Sequence, residues 1–330
     1  MTPTIRILCV LSCVAALTAC GETSSTDDVT AAPNGDCTDL RPGDVCELED
    51  PHMGLFWETI HANRYEDIPA AIEQLQAVLA ENPDDISAHK AIGFFRSWQL
   101  GEMYRADVPD LGSIVTGLEE STAHLGKALE DNPDPRIIIF KSTNEYMAAK
   151  QLNDADGEAV AKAAFLNAVD TWPELNNFVG GTMLSIFSTP GEDDFTLALD
   201  YMWESLDLCA NEVVNRDTPL PQMQAHIQDV PRPGDKRACS NSWIAPHGYE
   251  GFWMFFGDLL TKSGDFEVAR VMYEFVRESA TYDSWQYKDV LDDRITNMES
   301  NFANFSLPIP QQDPKYHPVA EWSCVVCHRK

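Results

Sequence analysis

The sequence predicts an all-α fold, and three features of the chain support this prediction. The first is helical periodicity: apolar residues recur at helical spacing at Ile72, Leu75, Val78 and Leu79, and again at Ile86, Ala88, Ile92, Phe95 and Trp98. The second is that prolines interrupt the pattern at intervals, as they do between helices. The third is that a single segment, 137–140, has the β-branched character of a strand. We interpret that segment as a buried helix face, because a helix-favouring stretch follows it.

The interruptions share a sequence phrase. Leu79-Ala80-Glu81-Asn82-Pro83-Asp84 is echoed at 129–134 and, more faintly, at 169–174. Asn or Asp at such a place caps the next helix, and proline is tolerated in its first turn. The phrase therefore predicts a unit made of two helices.

These units resemble tetratricopeptide repeats, whose second helix commonly closes with a proline. The clearest match is FWMFFGDLLTKSGDFEVARVMYEFV at 252–276. There Gly257 resembles the close-packing position of the first helix, 264–266 the turn, and Ala269 with Tyr273 the second helix. The prolines at 83, 133 and 173 are 50 and 40 residues apart, whereas the repeat measures about 34. The resemblance covers 53–301 and implies a divergent helical-repeat array, an α-solenoid.

The beginning of the chain predicts export and a lipid anchor. One positive charge at Arg6 precedes an apolar run from Ile7 to Leu17, as in a secretory signal, and the run is too short to span a bilayer. Leu17-Thr18-Ala19-Cys20 resembles a bacterial lipobox, which implies cleavage after 1–19 and lipidation of Cys20. Because Gly21 stands where aspartate marks inner-membrane retention, the resemblance favours the outer membrane. A cleaved signal with a released product is the alternative.

The C-terminal residues predict a covalent cofactor. Cys324-Val325-Val326-Cys327-His328 has the form of a c-type haem attachment motif. In such a motif two thiols add to the haem vinyl groups and the histidine is the proximal iron ligand. We expect one haem c held by Cys324, Cys327 and His328. A disulfide between the two cysteines and half of a zinc site are the alternatives.

The distal iron ligand is left open by the sequence. In many small cytochromes it lies well downstream of the motif, but here two residues follow His328, and the prolines of the 306–330 tail exclude a continuous helix. The candidates are His317, His247, His226, His52 and Met254, and a five-coordinate iron is a further possibility. The aromatic segment 243–256 is either a wall for the haem or the core of a repeat.

The remaining cysteines predict disulfides. Export places the chain in an oxidising compartment, which favours paired thiols. We expect Cys37 to pair with Cys46 inside a 20–50 tether, and Cys209 to pair with Cys239 across a proline-rich loop at 216–247. A free cysteine in the core is the alternative for Cys209. The helical domain is expected over 51–305.

Charge and motif content exclude several functions. The formal net charge is -30, and such a field repels nucleic acid. It favours basic partners or divalent cations, or serves solubility alone. The sequence contains no nucleophile elbow, phosphate loop or dinucleotide fingerprint.

Three functions follow from these features. The leading hypothesis is a lipid-anchored, extracytoplasmic monohaem cytochrome that exchanges single electrons with a docked redox protein. The alternative is an envelope scaffold whose repeats bind a protein and whose Cys324 and Cys327 form a disulfide. The third is an enzyme that uses an open haem position. An electron carrier or binding module is thus favoured over an enzyme.

Overall fold

The structure is a computed structural model that describes residues 50–61, 64–104, 111–130, 134–227, 249–279, 282–285 and 287–307. These residues form α-helices, short 3₁₀ turns and connecting turns, and no strand occurs among them. The prediction of an all-α fold is therefore confirmed. Within the same ranges no helix has both the length and the apolar character that a membrane crossing requires.

The described helices are numbered here in chain order. The first six are α1 Pro51–His61, α2 Ile68–Glu81, α3 Ile86–Tyr104, α4 Leu111–Ala128, α5 Pro135–Leu152 and α6 Ala155–Thr171. The next five are α7 Pro173–Phe187, α8 Asp193–Ala210, α9 Leu220–Ile227, α10 Tyr249–Ser263 and α11 Phe266–Glu278. The last two are α12 Lys288–Thr296 and α13 Met298–Phe305.

The helices pack as consecutive hairpins. The most extensive contacts join α3 to α4, α5 to α6, α7 to α8, and α10 to α11. The proline phrases fall between these pairs, because Pro83 separates α2 from α3 and Pro173 opens α7. The cap that the phrase predicts is present at Asp134, which accepts from the Arg136 amide at 2.9 Å. At the first phrase the capping residue is Asp85, one position past the phrase, which accepts from the Ala88 amide at 2.9 Å. Pro133 lies outside the described residues.

The α10–α11 hairpin has the local geometry predicted for it. A methyl group added at Gly257 would meet the Tyr273 ring at 2.4 Å, so the two helices approach closely there. Gly264 forms the turn with a φ of 87°, a value that favours glycine. Asp265 then caps α11 by accepting from the Val268 amide at 3.2 Å.

Aromatic contacts connect the first helices of successive hairpins. Ring centroids lie 5.7 Å apart between Phe56 of α1 and Phe94 of α3, and 4.9 Å apart between Phe94 and Phe140 of α5. The series continues from Tyr146 of α5 to Phe187 of α7 at 5.5 Å, and from Phe178 of α7 to Phe252 of α10 at 5.5 Å. The contacts form one core along the row of hairpins. Ile137, Ile139 and Phe140 belong to it, so the helical interpretation of that segment is confirmed.

Lysine 262 joins two of these hairpins. Its ammonium group, on α10, donates to the carbonyls of Ser185 and Ser188 at 2.7 and 2.8 Å, at the C-terminal end of α7. Burial lowers the pKa of this side chain to about 8. The lysine satisfies carbonyls that the end of a helix leaves without intrahelical partners.

Candidate functional site

The predicted cofactor site falls outside the described residues. This applies to the attachment residues Cys324, Cys327 and His328, to the distal candidates His317 and His247, and to Cys20, Cys37, Cys46 and Cys239. Haem attachment, lipidation and the pairing of Cys37 with Cys46 stay predictions. The described residues nevertheless place Cys209, Met254 and His52, and they include one histidine pair that the sequence did not single out.

Cys209 is buried near the end of α8 and is disulfide-bonded. It is the only cysteine within the described residues, so its partner lies beyond them. The alternative of a free cysteine in the core therefore does not hold. Pairing with Cys239 stays a prediction. A disulfide at this position is consistent with a protein that matures in an oxidising compartment.

Met254 lies in the hydrophobic core of α10, with 1% of its surface exposed. Its neighbours along the helix are buried with it and contact other hairpins: Phe252 and Phe255 meet Phe178 of α7. Trp253 meets Phe275 of α11 at 4.8 Å between ring centroids. Between the two interpretations of the aromatic segment, the described residues 249–256 are the core of a hairpin. A ligand role for Met254 stays a prediction.

The two other histidine candidates lie on peripheral helices. His52 is in the first turn of α1, with 22% of its side chain exposed, and its Nε2 lies 3.8 Å from the Asp85 carboxylate. Its backbone amide donates to Asp50, which caps the helix. His226 lies in α9, and its side chain is outside the described part of the structure.

A histidine pair joins α3 to α4. The Nδ1 atoms of His89 and His124 lie 2.8 Å apart, and His89 Nε2 lies 3.0 Å from the Pro83 carbonyl. Because a carbonyl only accepts, His89 donates from Nε2. A neutral His89 then accepts at Nδ1, so His124 is the donor in the pair. The pair ties the turn before α3 to the second helix of the hairpin.

The surroundings of His124 keep it neutral. Partial burial lowers its pKa to about 4, and the nearby His89 and Arg96 act in the same direction. Arg96 is held by Glu120 at 2.6 Å. A metal ion at this pair would meet the positive charge of Arg96, so we interpret the pair as a structural link. Sequence periodicity had no means of finding it, because the two residues are 35 positions apart.

In the described ranges, no group of three or more His, Cys, Asp and Glu side chains is arranged to hold a metal ion. Comparison of the chain with protein-family models, with curated proteins and with solved structures gave no match. The functional proposal accordingly starts from residues of this chain.

Proposed function

We propose that this protein is an extracytoplasmic, membrane-anchored c-type cytochrome that carries one covalent haem and passes single electrons to or from a docked redox protein. The observation that carries the proposal is the sequence Cys324-Val325-Val326-Cys327-His328. Two thiols at this spacing suit the two vinyl groups of a haem, and the adjacent histidine suits its iron. When bound, the haem would supply a one-electron redox centre.

The expected location supports this proposal. The lipobox-like sequence ending at Cys20 favours export and a diacyl anchor, with the outer membrane favoured by Gly21. The disulfide at Cys209 supports an oxidising compartment. Covalent haem attachment in bacteria also takes place outside the cytoplasmic membrane, so the two ends of the chain agree about the compartment.

The helical body would be the docking scaffold. We propose that its hairpins form a divergent α-solenoid resembling a tetratricopeptide array. The support is that consecutive hairpins contact their neighbours along the chain and that their first helices are linked by aromatic pairs. Each unit of a solenoid contacts mainly its neighbours. The residues after α13 would carry the haem, with His317, His247 or Met254 as the distal ligand or with the position open.

The test is to measure intact mass and the pyridine haemochrome spectrum after expression in a host with c-type haem maturation. We expect covalent haem in the natural sequence and none in the Cys324→Ala/Cys327→Ala variant. A matched control is the double variant Cys37→Ala/Cys46→Ala, which also removes two cysteines but from the other end of the chain, and which should retain haem.

Absence of haem from the natural sequence would overturn the proposal. The second candidate is an envelope scaffold in which Cys324 and Cys327 form a disulfide. The observation that favours it is that Cys209 is itself disulfide-bonded, so thiols of this chain do pair. Without haem, a peptide containing Cys324 and Cys327 whose mass is two hydrogen atoms below that of its reduced form would select the scaffold.

A further inference from the structure

We draw no further inference here: the strongest candidate, the exposed stripe of small apolar side chains that Ala159, Val160 and Ala163 form on the outer face of α6, carries nothing because no feature of the described part of the structure shows what covers it.

Discussion

The α10–α11 and α3–α4 hairpins use the same packing device. In each, a glycine of the first helix admits a large side chain of the second: a methyl group would lie 2.4 Å from Tyr273 at Gly257, and 2.6 Å from Leu125 at Gly93. Both hairpins also bury polar groups beside the glycine. They differ in the charge of those groups, and that difference determines how each hairpin should respond to substitution.

The buried network of α10–α11 is ionic. Asp258 is 1% exposed, and its carboxylate accepts from the Tyr273 hydroxyl at 2.7 Å and lies 3.1 Å from Arg294 Nε of α12. Burial raises the pKa of Asp258, while Arg294 and Tyr273 oppose the rise. Each charge depends on the other, because an unpaired charge in the interior is strongly unfavourable.

The buried network of α3–α4 is neutral. Ser121 of α4 donates to the Gly93 carbonyl at 2.9 Å, and its hydroxyl lies 2.9 Å from that of Ser97. Asn144 of α5 donates to Ser121 at 3.2 Å, which extends the network to the next hairpin. The same glycine contact is therefore accompanied by a buried ion pair in α10–α11 and by hydrogen bonds between neutral groups in α3–α4.

The largest expected effect is the loss of the ion pair. Arg294→Met should lower the free energy of unfolding by about 3–5 kcal/mol, because it leaves the Asp258 carboxylate buried without its cation. Ser121→Ala in the neutral network should lower it by about 1 kcal/mol. Urea denaturation of both variants measures the two values on one scale.

The control for this prediction is the double variant Asp258→Asn/Arg294→Met. It removes both charges and keeps an acceptor for Tyr273, so we expect it to be more stable than Arg294→Met alone. Equal stabilities of the single and double variants would show that the cost of Arg294→Met comes from lost packing and not from an unpaired charge.

The second effect concerns the glycines. Gly257→Ala should cost about 1–3 kcal/mol, because a rigid aromatic ring occupies the space that the methyl group needs. Gly93→Ala should cost less, since the two nearest atoms, Cδ2 and Cγ of Leu125 at 2.6 and 2.7 Å, belong to an aliphatic side chain that can change rotamer, and the Leu125 amide nitrogen lies farther away at 3.3 Å. Thermal unfolding of the two variants compares them, and an equal or larger loss in Gly93→Ala would contradict this account.

The sequence predicted those parts of the fold that depend on local spacing. The helical class, the cap at Asp134 and the Gly264 turn follow from residues within a few positions of one another. It did not predict the partners of buried polar groups. Asp258 and Arg294 are separated by 36 positions, and no periodicity relates them, because their pairing depends on how α12 packs against the hairpin.

The candidate haem site combines a part that sequence can predict with a part that it cannot. The haem prediction depends on five adjacent residues, so sequence alone can state it, whereas a distal ligand is defined by contacts across the fold. Met254 illustrates the limit: its place next to an aromatic run fits a haem wall and a helical core equally well in sequence. The structure places Met254 in the hydrophobic core, where its side chain packs against other buried residues.

The smallest expected effect is a difference between the two hairpins in how the free energy of unfolding depends on pH. His124 has a folded pKa of about 4, below its ordinary 6.5, so the unfolded chain takes up this proton first on acidification. Stability due to His124 is therefore present above pH 6.5 and lost as the pH falls toward 4. After allowance for its exposure, we expect a loss of about 1 kcal/mol.

Lys262 of α10 should act in the alkaline range. Its folded pKa of about 8 lies below the ordinary 10.5, so its contribution to stability rises between these two values. Urea denaturation at several pH values, compared between the natural protein, His124→Gln and Lys262→Met, separates the two windows. His124→Gln should reduce the change of the unfolding free energy with pH only between pH 4 and 6.5. Lys262→Met should reduce it only between pH 8 and 10.5. If the free energy of unfolding of His124→Gln falls between pH 6.5 and 4 as steeply as that of the natural protein, His124 is not the cause of this fall, and carboxylates account for it.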